Sequence, residues 1–363
     1  MTDAKHTGRT RDRADATARL LDANANRCAE GLRTLEDVAR FVLDDAELSA
    51  EAKSVRHALR CLVRALAGPG LIEARDTPGD VGTAISEPGE RTRAGMHAIA
   101  EAAGNRACES LRVLEEASKV SSPGEAAALE ALRYRVYGLQ RAVCTRARAI
   151  APQWRVCVLL TASLCAGRDP VEVLRSALRG GADCVQVREK DMDSGPLLEH
   201  TRRVVRAARE FSAGVIVNDR PDIARLAGAD GVHVGQRDLP VADARRIAGE
   251  GAIVGVSTAD LGQARKAVAD GAGYCGCGPM FTSTTKPRDA LAGPAYLRAY
   301  LDDPATASTP HLAISGIDGE NIGGLAEIGC RGVAVSLAVC AADDPGAVCR
   351  RLRETLEGAP SGV

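Results

Sequence analysis

Aromatic side chains are scarce. One Trp, three Phe and five Tyr make up 2% of the 363 residues, too few rings for a protein that grips single-stranded nucleic acid by base stacking. An excess of either charge is missing too. The 47 basic and 48 acidic side chains leave a net charge of -1, which argues against bulk binding of nucleic acid but leaves room for a local basic pocket. No apolar run approaches the roughly 18 residues of a spanning helix, and mean hydropathy is -0.10, so no membrane partner is expected. The opening MTDAKHTGRTRDRADATARL lacks a signal-peptide core, and a cytoplasmic location is expected. There is no CxxC, and Cys275 and Cys277 are the only close cysteine pair, so zinc-site spacing is absent. A Walker-type GxxxxGK[ST] is also missing.

What is present is a globular mixture. Hydrophobic residues are 45% and charged residues 26% of the chain, and the length favours two domains over one growing core. The 12 Cys, about 3% of residues, fall well short of a disulfide scaffold. Most sit among Ala, Val and Leu, as Cys61, Cys157, Cys184 and Cys340 do, and read as small buried hydrophobes. The character of the chain changes near residue 150. Residues 14–67 and 94–149 are rich in Ala, Leu, Arg and Glu at helical spacing, while Gly and Pro break the helix over 68–90. Beyond Pro152, short β-rich runs alternate with helical stretches. The expected domains are an all-α domain over 14–150 and an α/β domain over 154–358.

The helical part contains a repeat. The twelve residues from Asn26 to Asp37 match those from Asn105 to Glu116 at seven positions, with an offset of 79. On a helical wheel Cys28, Leu32, Leu35 and Ala39 form an apolar packing stripe. Asn26, Glu30, Arg33 and Asp37 form a polar stripe on the other side, repeated by Asn105, Glu109, Arg112 and Glu116. Either these are solvated ion pairs, or the two copies line a pocket or an interface. The stretch Arg75 to Gly82 adds a guanidinium suited to phosphate and, in Asp76 and Asp80, two carboxylates suited to Mg²⁺.

The second part predicts strands at 155–161, 184–188, 214–218, 231–234, 253–257, 273–278, 311–315 and 332–336, each followed by a helix. Eight such units fit a (β/α)₈ TIM barrel; an open doubly wound sheet is the alternative. The Gly276-x-Gly278 pair is followed by Pro279-Met280-Phe281 rather than a third Gly and a helix, a poor dinucleotide fingerprint. Polar residues collect at the strands' carboxyl ends, where barrel chemistry sits. Gln186 to Lys190 follow strand two, Asn218 to Arg220 strand three, His233 to Asp238 strand four, and Ser257 closes strand five. Gly278 to Lys286 follow strand six, Ser315 to Ile317 strand seven, and Ser336 strand eight. Asp219 and Asp238 suit Mg²⁺. Arg188, Lys190 and Lys286 can neutralise phosphate oxygens, and the hydroxyls of 282–285 with the Gly-containing loops suit a second phosphate.

Residues 154–358 closely resemble thiamine-phosphate synthase. VQVREK, VNDR, DGVHVGQRD, GVST, GPMFTSTTKP, AISGI and GVAVS carry the resemblance. It implies a barrel that joins hydroxymethylpyrimidine diphosphate to a thiazole phosphate and releases diphosphate. It places the pyrimidine diphosphate near Gln186, Val187, Arg188, Glu189, Lys190, Asn218 and Lys286, Mg²⁺ on Asp219 and Asp238, and Ser257 near the reacting carbon. The thiazole phosphate falls near Ser283, Thr284, Thr285, Gly316, Val335, Ser336 and Leu337. Arg188, Lys190, Ser257 and Lys286 would carry catalysis. The chain departs from the family where Ser315 replaces the first Gly of Gly-Gly-Ile, where Ser336 comes one step early with Leu337 in the usual Ser place, and where Thr284 replaces a proline. The alternatives are a related thiazole tautomerase, with His233 moving protons, and a non-enzymatic sensor of thiamine phosphates.

Residues 18–145 resemble the helical domain fused ahead of some thiamine-phosphate synthases, a noncanonical hydroxymethylpyrimidine-phosphate kinase. The NRxxExLRxLE motif at Asn26 and Asn105, with Arg75-Asp76-Thr77 and Asp80-Val81-Gly82, carries this resemblance. It implies ATP as phosphoryl donor and the pyrimidine monophosphate as acceptor, and the doubled polar stripe with the 75–82 stretch points to a site between the repeat halves involving Asn26, Glu30, Arg33, Asp76, Asp80, Asn105, Glu109 and Arg112. The competing reading is a helical assembly domain that makes a homo-oligomer.

Overall fold

The computed structural model describes residues 4–75, 92–93, 95–120, 122–283 and 290–358. Asp76, Asp80, Thr284, Thr285 and Lys286 lie outside them. The chain divides into two compact units, Met1–Arg148 and Ala149–Val363, and no helix among the described residues is long and apolar enough to cross a membrane.

The first unit has four helices: α1 (Ala4–Phe41), α2 (Ala46–Ala67), α3 (Met96–Ser118) and α4 (Pro123–Arg148), with a 3₁₀ turn at Gly68–Ala74 after α2. Each half expected to be helical is thus a helical hairpin. The first break falls at Asp44, whose φ is 49°, and Asp45 then caps α2 by accepting from the Leu48 N–H at 2.9 Å. The second falls just before Pro123, which is tolerated only in a helix's first turn. α1 packs on α2 and α3, and α4 packs on α3 and α2. Cys28, Leu32, Leu35 and Ala39 are fully buried, with Ala107, Leu111 and Leu114 from the other repeat. Gly31 allows the close approach of α3: a Cβ there would meet the Ala103 carbonyl oxygen at 2.5 Å.

A buried glutamate in each repeat ties α1 to α2 and α3 to α4. Glu36 accepts from Arg56 at 2.7 Å, and its counterpart Glu115 accepts from Arg133 at 3.0 Å. Arg133 also lies over the Tyr134 and Tyr137 rings. Desolvation pushes the Glu115 carboxyl up, but hydrogen bonds from Arg133 and Lys119 outweigh it and hold the carboxyl below the usual glutamate range.

The second unit is a closed barrel of parallel strands in the order β1 to β8: β1 (Val156–Leu160), β2 (Cys184–Val187), β3 (Gly214–Asn218), β4 (Gly231–Val234), β5 (Ile253–Thr258), β6 (Tyr274–Cys277), β7 (His311–Ile314) and β8 (Val333–Val335). Closure rules out the open doubly wound sheet. The helices are α5 (Pro170–Arg179), α6 (Ser194–Arg209), α7 (Pro221–Ala227), α8 (Val241–Ala248), α9 (Leu261–Ala269), α10 (Gly293–Asp302), α11 (Ile322–Glu327), α12 (Leu337–Cys340) and α13 (Pro345–Gly358). The four-residue α12 is an addition to the expected pattern.

Parallel strands covered on both faces must be apolar on both, and alternation sorts the two sides. Val156, Val158, Leu160, Val185, Val187, Cys275 and Cys277 pack outward against the helices. Cys157, Leu159, Cys184, Ile216, Tyr274, Leu312 and Ala334 fill the interior, together with Trp154. Trp154 and Tyr274 meet edge to face with centroids 5.5 Å apart. The rings fit because their neighbours are glycines: a Cβ on Gly255 would meet the Tyr274 ring at 2.2 Å, and one on Gly214 the Trp154 ring at 2.6 Å.

Replacing Glu115 with Ala should lower the stability of the helical unit by about 2 kcal/mol. That is less than a fully enclosed pair would lose, because Lys119 and Arg112 keep one edge of the cluster near water. Since the folded-state pKa is depressed, this contribution is complete above the ordinary glutamate range and lost as pH falls through the depressed value. Urea titrations of the whole chain at neutral and acid pH, read by helical circular dichroism, measure both effects.

Candidate active site

Inward alternation sets the site. At the carboxyl end of the barrel the inward positions are Leu159, Gln186, Asn218, His233, Ser257, Gly276, Ile314 and Ala334, and all eight line one cavity of about 510 Å³. Arg188 borders it beyond β2, Thr282 and Ser283 beyond β6, Ser315 to Asp318 beyond β7, and Ser336 to Ala338 beyond β8.

The floor is polar and organised. Tyr274 Oη lies 2.9 Å from His233 Nδ1, and His233 Nε2 lies 2.9 Å from Ser257 Oγ. Burial pushes the Tyr274 hydroxyl well above its usual range, so it stays protonated. Both ring nitrogens of His233 are engaged, and the imidazole holds the Ser257 hydroxyl in place. Gln236 Nε2 donates to the Ser257 carbonyl at 2.7 Å, fixing the backbone of the same residue. Gln236 belongs to the polar end of strand four, but Tyr274 was missed by sequence reasoning. The usable signal for Tyr274 was a tyrosine at an inward strand position opposite glycine.

Asp219 and Asp238 come together at the β3 and β4 ends. Burial raises the Asp219 pKa, the neighbouring Asp238 raises it further, and Lys190 counteracts both. Asn218 Nδ2 donates to Asp219 Oδ2 at 2.6 Å, and the Gly235 N–H donates to Asp238 Oδ2 at 2.7 Å. Two crowded carboxylates with a nearby ammonium suit a hard divalent cation. Among the described residues no third His, Cys, Asp or Glu joins them, which fits Mg²⁺, a cation that usually takes one or two carboxylates and completes its shell with phosphate and water.

Other expected residues lie elsewhere. Val187 points into the outer layer, because it is one step out of phase with Gln186. Glu189 turns away from the cavity: its Oε1 accepts from the Ala162 N–H at 2.6 Å and lies 3.7 Å from His200 Nε2. Burial raises its pKa. Val335 borders the cavity, but its side chain packs in the outer layer. Ser336 Oγ donates to the Leu159 carbonyl at 3.0 Å, so its hydroxyl ties β8 to β1. Leu337 is exposed and borders the cavity. Gly316 has φ 65°, and a Cβ there would meet the Thr282 carbonyl oxygen at 2.3 Å; both facts require glycine. Ser315 has φ 85°, and its Oγ donates to the Phe281 carbonyl at 3.1 Å.

Among the described residues, the polar stripe of the helical unit lies at the surface instead of between the repeats. Asn26, Glu30, Arg33, Asn105, Glu109 and Arg112 are all exposed. Arg33 pairs with Glu36 at 3.6 Å, and Arg112 pairs with Glu115 and Glu116.

A closed (β/α)₈ barrel with its polar side chains gathered at the strands' carboxyl ends defines a barrel enzyme. Residues 156–339 match the thiamine monophosphate synthase family, and residues 19–142 match the ThiD2 family. The thiamine-phosphate synthase of Synechocystis sp. is 38% identical over 330 residues, covering 91% of this chain and 93% of the relative. That of Thermosynechococcus vestitus is 40% identical over 348 residues, covering 94% and 96%. Among solved structures, thiamine phosphate pyrophosphorylase from Pyrococcus furiosus aligns with a TM-score of 0.51 at 30% identity, covering 59% of this chain and 98% of that one. The chain belongs to the thiamine-phosphate synthase family.

No cysteine reaches the cavity lining. Burial raises the Cys275 thiol to about 11 and the Cys277 thiol further, so neither is a nucleophile at neutral pH. Replacing both with Ala or Val should leave the rate of thiamine phosphate formation within about tenfold in a folded protein. Complete loss in a variant with unchanged circular dichroism would overturn this.

Proposed function

We propose that the barrel joins 4-amino-2-methyl-5-(diphosphooxymethyl)pyrimidine to a thiazole phosphate, giving thiamine phosphate and diphosphate. The observation that carries this reading is one cavity with two differently equipped sides. The ends of β2 to β4 supply Gln186, Arg188 and Asn218, with Lys190 and the Asp219–Asp238 pair alongside. The ends of β6 to β8, across the mouth, supply Ser283, Gly316 and Ser336. A diphosphate fits the first side and a monophosphate the second.

The reaction follows from charge. The bond from the pyrimidine methylene to the diphosphate oxygen breaks, and its electron pair leaves with the diphosphate. The ring amino group stabilises the cationic methylene, and the thiazole nitrogen adds its lone pair. Arg188, Lys190 and, from the resemblance, Lys286 neutralise the departing oxygens. Asp219 and Asp238 would hold Mg²⁺, which when bound supplies further positive charge to the leaving group. Ser257, oriented by His233, contacts the pyrimidine next to the reacting carbon. Holding two substrates together supplies much of the remaining acceleration. The isomerase alternative, with His233 as a proton carrier, has no use for Arg188, Lys190 and the Asp219–Asp238 pair.

The ThiD2 match favours a second activity: the helical unit phosphorylates the pyrimidine monophosphate with ATP and so supplies the barrel's substrate. A reducing cytoplasm suits the chain, since all its cysteines are free.

Asp219→Asn and Asp238→Asn should each lower coupling by at least about tenfold and shift the Mg²⁺ dependence to higher concentration. Steady-state kinetics across a Mg²⁺ series reads both, and an unchanged rate in both folded variants would remove the metal assignment. Full-length protein given the monophosphate, ATP, Mg²⁺ and thiazole phosphate should make thiamine phosphate.

A further inference from the structure

One of the differences between the two repeats of the helical unit opens a cavity. Aligning Arg56 with Arg133, which hold the paired buried glutamates, places Leu59 on Val136, Arg60 on Tyr137, Val63 on Gln140 and Arg64 on Arg141. In the second repeat, Gln140 lies over α3. A Cβ on Gly104 would meet its Cγ at 2.4 Å, and its Nε2 donates to Asn105 Oδ1 at 2.7 Å and to the Glu101 carbonyl at 3.3 Å. In the first repeat Val63 has no amide to offer. A cavity of about 400 Å³ opens there between α1, α2 and the 3₁₀ turn, lined among others by Asp22, Asn26, Arg60, Val63 and Arg64.

The chemistry of this cavity is specific. Arg60 and Arg64 lie one turn apart on α2, exposed, and neither has an acidic partner among the described residues. Two unpaired guanidiniums at this spacing repel each other and favour an anion between them, phosphate above all. Asp22 does not cancel them, because Arg75 binds it through two hydrogen bonds of 2.8 and 2.9 Å and holds its carboxyl below the usual range. Asn26 Nδ2 is used by Asp22. Its Oδ1, whose counterpart on Asn105 accepts from Gln140, has no donor among the described residues and is available to a ligand N–H.

We propose that the helical unit carries one binding site for a phosphate monoester with an N–H-bearing ring, in the first repeat only, with Arg60 and Arg64 on the phosphate and Asn26 on the ring, while Gln140 fills the equivalent space in the second repeat. This deepens the reading in which the helical unit receives the pyrimidine monophosphate, and it moves the site from between the repeats into one of them.

The test transplants the plug. In the full-length chain carrying Arg188→Ala to silence the barrel, the pyrimidine monophosphate is titrated calorimetrically, reading affinity and the number of sites. Val63→Gln should remove one site per chain, and Arg60→Ala or Arg64→Ala should weaken binding by about tenfold or more. Gln140→Val and Arg112→Ala should not weaken it. Melting curves establish that Val63→Gln is folded, and because Ala25 stands where the second repeat has Gly104, the substitution is also made together with Ala25→Gly. Binding that survives undiminished in folded Val63→Gln, or no binding before that substitution, would overturn the proposal. If ATP-dependent phosphorylation is absent while binding remains sensitive to Val63→Gln, the site stands and the phosphorylation reading falls. If phosphorylation persists unchanged in Val63→Gln, the site falls and that reading stands.

Discussion

A parallel strand inside a closed barrel has two buried faces, and each residue belongs to one or the other. That constraint determines most of what the second unit does. One step outward and a side chain packs on a helix, as Val187 and Cys277 do. One step inward and it either fills the floor, as Tyr274 does, or stands in the cavity, as Gln186 and Ser257 do. Each barrel strand contributes one inward residue at its carboxyl end, so the cavity wall is set by eight residues widely spaced in sequence. The chemistry then depends on which few of them are polar.

This explains what the sequence made legible. The strands read well because their short apolar runs alternate regularly with helical stretches across turn residues, and every barrel strand lies within a residue of its expected position. Gln186, Arg188, Asn218 and Ser257 are legible as polar residues at the carboxyl ends of strands. Val187 and Glu189 were misplaced because a motif read as a block ignores phase: Glu189 serves the backbone of the loop after β1 instead. The Tyr274–His233–Ser257 chain could not be read, since its members come from different strands and only the register of β4, β5 and β6 brings them together.

In the helical unit, identity between the repeats misled where difference informed. The matched polar stripe keeps its residue types, yet it is exposed and its arginines bind acids on their own helices. The matched acidic residues with a buried role are Glu36 and Glu115, which sit beside the packing stripe and bond to the neighbouring helix. Duplication supplies two equivalent frames, and a frame that needs only one ligand site leaves the other copy free to be filled. A glutamine that satisfies its neighbours' hydrogen-bonding groups does this without opening a void or stranding a polar atom.

Backbone conformation adds a last constraint on the barrel. Asp219, Ser315 and Gly316 have φ of 60°, 85° and 65°, and all three lie at or next to the cavity. Asp tolerates the left-handed region better than most residues, and at Asp219 this conformation coexists with an N–H donated to the His233 carbonyl at 2.8 Å, which locks the carboxylate's strand end to β4. Ser315 has no such tolerance. It stands where the resemblance implies the first Gly of Gly-Gly-Ile, and a glycine there would reach the same φ without strain. Its hydroxyl bonds the Phe281 carbonyl, a contact glycine could not make. The departure therefore replaces conformational ease with a tether between the loops after β6 and β7. Those loops border the side of the cavity assigned to the monophosphate, and Gly316, which no side chain can replace without meeting Thr282, sits directly beside that tether.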